Sequence, residues 1–233
     1  MQTIGMLLIL LLLYGGPMKH RNAIEQWSNG LRLASDRVSL GISAAAQATS
    51  QRPSGSEATP VTSLLKGLAA ERAAPELGDR LQLFGQFVGD WEIDSVWFLP
   101  DGSTVRGKGE VHFGWILKGM AIQDVWSGHI ANPPPGFPKE GFGTTVRFYD
   151  PKINGWQCVW VDPVSNILQT LIARKIGDEI VLETKTREGY PEHWIYSKIT
   201  PQSFEWRSVE SHDAAKTWKL TQKISAHRVH VGN

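Results

Sequence analysis

The sequence predicts an all-β protein, a closed antiparallel meander barrel of about ten strands, capped by a short N-terminal helix and preceded by a weakly structured tail. Three observations predict it. From residue 87 onward, apolar side chains recur with period two. Short turn signals separate these segments, and nothing between them is long enough for the helix of a parallel crossover. Of the ten tryptophans, all but Trp27 lie between Trp91 and Trp218, and most share a face with other apolar residues.

Residues 1–74 lack this alternation. Met6 to Leu13 is an apolar run far shorter than the ~20 residues that span a bilayer. It resembles the hydrophobic stretch of a signal peptide, yet no Lys or Arg precedes it, and Lys19, His20 and Arg21 follow it. Membrane contact is expected only if residues 6–13 act as a signal or anchor. The alternative is an over-extended start, with Met18 the initiator. Residues 28–74 are rich in Ala, Ser, Gly and Thr, and residues 51–57 read as linker. Short helices fit around 22–38 and 61–73, with too little apolar surface for a core. The expected organisation is a tail over 1–74, a barrel domain over 75–228 and a C-terminal tail over 229–233.

Pro75 stands where a helix begins, and Leu77, Leu81, Phe84 and Phe87 follow at helical spacing, which predicts an amphipathic helix over 75–86. Ten strands follow at about 87–99, 103–117, 119–127, 141–150, 155–162, 166–175, 178–186, 191–199, 203–211 and 216–226. Their separators are good turns, such as Pro100-Asp101-Gly102, Gly177-Asp178 and Thr200-Pro201-Gln202. The one long connection, residues 131–138, is too rich in proline to pair as a strand. A meander of this length closes to remove its edges.

Alternation assigns the faces. Phe87, Trp91, Ile93 and Trp97 share one side, as do Val111, Phe113 and Trp115, then Trp156, Cys158 and Trp160, then Phe204 and Trp206. Asp124, Asp162, Arg174 and Glu210 fall on otherwise apolar faces, with Tyr196 and Gln222 as polar members of the same faces. A lone buried charge is costly and must be paired or wet. Such groups either sit at strand ends or line a wet cavity with an aromatic wall.

Phe87-Val-Gly-Asp-Trp-Glu92 resembles the Gly-x-Trp opening of calycin-like barrels: lipocalins, fatty-acid-binding proteins and nitrobindin-type barrels. An ordered set of further motifs is similar to an uncharacterised bacterial family of calycin-like proteins, a domain of unknown function. It comprises Gly109-x-x-x-Phe113-Gly-Trp115, Arg147-Phe-Tyr-Asp-Pro151, Trp156-x-x-x-Trp160-x-Asp162 and Ser211-x-Asp213-x-x-Lys216-Thr-Trp218. The resemblance spans about residues 75–228. It implies a barrel, with Trp91 packed across the closed end, and supplies no reaction.

The chemical signals are few. A net charge of +1 without a basic block excludes the usual nucleic-acid footprint. Cys158 is the one cysteine, so no internal disulfide forms, and a reducing, cytoplasmic setting is expected, export or tethering through residues 6–13 being the alternative. The histidines sit in no metal-binding frame, so no metal is expected, and no cofactor is assigned. Ser211-His212-Asp213 lists the residue types of a hydrolase triad, but three neighbours in one hairpin cannot adopt its geometry, and an Asp-stabilised turn is expected. The expected function is binding of a small hydrophobic or aromatic molecule, with an acidic group allowed for, as carrier or sensor. The candidate ligand-binding residues are Trp115, Trp156, Trp160, Asp162, Arg174, Trp194, Tyr196 and Trp206, with Arg174 the motive for an acidic group. The alternative is an enzyme, an isomerase, cyclase or hydratase, using Asp124, Asp162 and Tyr196 as acid–base groups in the same cavity.

Overall fold

The computed structural model of the chain describes residues 60–229. A helix α1 (Pro60–Leu68) and a two-residue strand β1 (Ala69–Ala70) lead into a 3-10 helix (Pro75–Leu81) and the single-turn α2 (Gln82–Gly85). Ten longer strands follow: β2 (Gly89–Phe98), β3 (Thr104–Ile116), β4 (Ala121–His129), β5 (Glu140–Asp150), β6 (Gly155–Asp162), β7 (Ile167–Ile176), β8 (Glu179–Lys185), β9 (Pro191–Ser197), β10 (Ser203–Glu210) and β11 (Lys219–Arg228). Each pairs antiparallel with its sequence neighbour, and β11 returns to pair with β2, from Gln222 opposite Trp97 to Arg228 opposite Trp91. The barrel is therefore closed, and all ten strands predicted by the period-two pattern are present within a few residues of their expected bounds. The turns use the expected chemistry: Asn166 and Gly177 take left-handed φ values of 52° and 60° between β6, β7 and β8.

One end is plugged. The expected amphipathic helix over 75–86 is instead broken in two, because Gly78 leaves the helical region at φ 52°, ψ −142°. Its apolar residues still point inward, and Leu81, Phe84 and Phe87 are fully buried. Phe84 meets Trp156 edge-on at 5.0 Å, and Phe87 lies 5.0 Å from both Tyr196 and Phe204. Trp91 packs across this end as expected. Its indole N–H donates to the Phe87 carbonyl at 2.7 Å, and the Arg228 guanidinium stacks 4.1 Å over its ring. Arg228 also donates to the carbonyls of Gln86 and Val88 at 2.8 Å and of Pro201 at 2.7 Å. The last residue of β11 thereby ties the plug to the wall.

Residues 6–13, 22–38 and 51–57 lie outside the described residues. The short helix expected around 61–73 is α1, ending at Leu68. Beyond it the chain runs along the wall: β1 pairs with Ile116 and Trp115 of β3, and the Ala74 N–H donates to the Gly119 carbonyl at 3.0 Å. No helix among the described residues is long and apolar enough to cross a membrane.

Candidate functional site

The opposite end of the barrel carries the inward residues that solvent still reaches. Trp126, Trp160, Trp194 and Trp206 project inward from β4, β6, β9 and β10, and all four are half-buried, whereas Trp91 and Trp156 at the plugged end are closed off. The four rings form one edge-to-face arc, with centroids 6.4 Å apart between Trp126 and Trp160, 6.0 Å between Trp160 and Trp194, and 5.5 Å between Trp194 and Trp206. Edge-to-face contacts fix indole orientation and leave part of each face free.

Glycines make room for two of them, Gly128 of β4 and Gly141 of β5 beside Trp126 and Gly143 of β5 beside Trp160. A Cβ on Gly141 would lie 2.5 Å from the Trp126 ring and one on Gly128 2.7 Å from it, while a Cβ on Gly143 would strike Trp160. The Trp126 and Trp160 rings thus lie against bare backbone along the wall. Trp97 stands at the same end, capped edge-on at 5.6 Å by Phe137 from the proline-rich connection over 130–139.

Two polar features mark the interior. Arg147 of β5 is 1% exposed and ion-paired with Asp124 of β4, 4% exposed, at 2.5 Å. The same Nη2 lies 3.2 Å from the Tyr196 hydroxyl, and the guanidinium sits 5.1 Å over Phe84 and 5.5 Å over Phe113. Burial opposes the Arg147 charge, but the Asp124 carboxylate together with Tyr196 and Cys158 outweighs it and keeps the guanidinium protonated. Burial pushes the Tyr196 phenol up to about 12 despite that neighbour. Nε and Nη1 of Arg147 have no hydrogen-bond partner among the described residues, and neither does Nε1 of Trp126 or Oγ of Ser95.

The second feature is Glu192, at the start of β9. It accepts hydrogen bonds from Trp194 Nε1 at 2.7 Å, Ser208 Oγ at 2.9 Å and Gln169 Nε2 at 2.8 Å. All three donors are neutral.

The predicted residues divide accordingly. Trp160, Trp194 and Trp206 come together at the open end. Trp156 and Tyr196 belong to the packing around the plug, and Trp115 lies on the same side, its ring beneath Gly85 of α2. Asp162 ends β6 and accepts the Ser165 N–H at 2.9 Å, a strand-end turn. Arg174 does not face inward. Its neighbours Leu171 and Ala173 are the buried ones, and its own side chain is 42% exposed, 3.6 Å from Glu183 on the outer surface. Alternation failed there because β7 is apolar on both faces, with Leu168 and Ile176 exposed. Arg147, Glu192 and Trp126 were not singled out by the sequence. Glu192 was legible, two residues before inward Trp194. Arg147 was masked because β5 puts Phe142 and Phe148 outside, at 52% and 47% exposure, so its outer face reads as the apolar one.

Ser211, His212 and Asp213 form the expected turn. Asp213 accepts the Thr217 hydroxyl at 2.6 Å and the Thr217 N–H at 2.8 Å, which hold its carboxyl at about 2, and His212 turns to Glu210 at 3.0 Å. No group of three or more metal-ligating side chains occurs among the described residues.

The architecture is a closed antiparallel meander barrel of ten long strands, plugged at one end. No family model and no curated protein matches the chain. Among solved structures, it is similar to Rv2717c from M. tuberculosis, with 14% identity and a TM-score of 0.48 over 68% of this chain and 99% of that one. It is also similar to the S-type phycobiliprotein lyase CPES from Guillardia theta, with 12% identity and a TM-score of 0.45 over 65% and 93% of the two chains. A redesigned β-barrel, mFAP0, described bound to DFHBI, matches with 12% identity and a TM-score of 0.34 over 61% and 99%.

Proposed function

We propose that the barrel binds a small, largely apolar or aromatic molecule at its open end, as a carrier or sensor. The observation that carries this reading is the arc of four inward, half-buried indoles, two of them, Trp126 and Trp160, seated on glycine backbone. Large aromatic side chains held in place with faces left partly open are the usual lining of a small-molecule site. The acid–base candidates are committed elsewhere: Asp124 to Arg147, Asp162 to its turn, and Tyr196 to packing against Phe87 and Phe204. The enzyme reading therefore gains no free titratable group from them.

The test is titration of the full chain with fatty acids, aromatic acids, aromatic amines and neutral aromatics, following tryptophan fluorescence. Saturable quenching by at least one class is expected. Trp160→Leu should weaken it by about tenfold, the equivalent of one well-placed aromatic contact of ~1.4 kcal/mol. A Trp156→Phe control, altered at the plugged end, should bind like the parent. No saturable change with any class would remove the reading.

A further inference from the structure

Glu192 is an inner-wall carboxylate held by three hydrogen bonds, all of them from neutral side-chain donors. Asp124 and Arg147 neutralise each other, whereas Asp162 accepts a backbone N–H and Glu210 meets His212, which is charged only when protonated. Arg187, exposed at the rim, donates to the Asn166 carbonyl at 2.6 Å. The inner wall therefore carries an excess negative charge, and it is positioned. Trp194 Nε1 and Ser208 Oγ fix one carboxylate oxygen, Gln169 the other, so the group cannot swing out to water without breaking three bonds. Beside it stand the rings of Trp194 and Trp160, with Trp206 beyond.

We propose that the ligand is a cation: a protonated or quaternary amine on an apolar or aromatic body, its charge held between the Glu192 carboxylate and the faces of Trp160 and Trp194. Two independent attractions favour it. A carboxylate stripped of part of its water regains Coulomb energy from a nearby positive group, and more so than in bulk solvent. Indole is the strongest of the aromatic faces for cations, and several indoles around one cation form the cage by which quaternary ammonium groups are recognised. A ligand carboxylate would meet the opposite: like charge at Glu192, with the Arg147 charge already matched by Asp124 and Arg174 facing outward.

This inference rests on the binding site proposed above, and a charge series separates the two. Four probes share one naphthalene body: naphthylmethylamine, its trimethylammonium analogue, naphthalenemethanol and naphthoate. Each is titrated into the full chain at low salt, and tryptophan quenching is followed. The two cations are expected to bind about tenfold tighter than the alcohol, and naphthoate more weakly than all three. In Glu192→Gln the cation advantage should fall below about threefold while alcohol binding stays within twofold, because glutamine keeps the shape and Gln169 can turn its amide to match. The parent series needs no variant and so stands even if the substitution perturbs folding. Equal binding of alcohol and cations to the parent, or tighter binding of naphthoate, overturns the charge preference and leaves the site intact. An unchanged cation advantage in a folded Glu192→Gln protein also overturns it. Absence of saturable quenching by all four removes site and preference together.

Discussion

Arg147 and Asp124 are each nearly sealed from solvent, so neither is stable there without the other. Removing one partner of such a pair leaves an uncompensated buried charge, at a cost of about 3–5 kcal/mol. Arg147→Met should therefore lower the urea midpoint sharply, whereas Arg147→Met combined with Asp124→Leu should recover most of the loss. A double variant as unstable as the single one would mean that the pair is not the source of the effect. Cys158, opposite Arg147 in the β5–β6 register, is buried, which pushes its thiol up to about 12. Only the thiolate is an effective nucleophile. The folded protein should leave a disulfide-exchange reagent unreacted at pH 8 and release one equivalent on unfolding. Prompt reaction of the native protein would place Cys158 nearer the surface.

At the scale of elements, Trp126 and Trp160 of the tryptophan arc are seated on glycine. Gly143 stands where a Cβ would strike Trp160, so Gly143→Val should push that ring toward the axis and weaken quenching by aromatic probes at least as much as Trp160→Leu does. A Gly143→Val protein that binds like the parent would show that the ring tolerates displacement. The strands themselves were legible because period two and turn chemistry depend only on local sequence. The side a residue faces was legible only where one face was clearly apolar, as in β2 and β6. β5 and β7 place apolar residues outside, and the faces of Arg147 and Arg174 were hidden by the same feature. The plug was readable by its spacing, but not as a broken helix, since Gly78 permits a helix and a kink alike. The glycine seat could not be read, because it depends on the register between β4, β5 and β6 and on which way each indole turns, which alternation alone does not give.

Across the whole molecule, stability concentrates where the plug meets the closing seam. Trp91→Ala should cost about 3–5 kcal/mol, since it deletes a buried indole, its bond to Phe87 and the platform under Arg228. A melting curve like the parent's would make Trp91 peripheral. A chain beginning at residue 60 should keep the strand-rich circular dichroism and melting temperature of the full chain. One beginning at residue 75 should remain folded but melt lower, having lost β1 and the Ala74–Gly119 bond, the latter about 1 kcal/mol. The seam also has a bearing on synthesis. β2 emerges from the ribosome early and β11 more than a hundred residues later, yet they are wall neighbours. Until β11 arrives, β2 and β10 both present open edges, and the aromatic interior is uncovered on a nascent chain, the state in which strands pair with the wrong partner. A message truncated before Lys219 would thus yield no weakened barrel. It would yield an unclosed sheet without the Arg228 clamp, a client for chaperones and proteases.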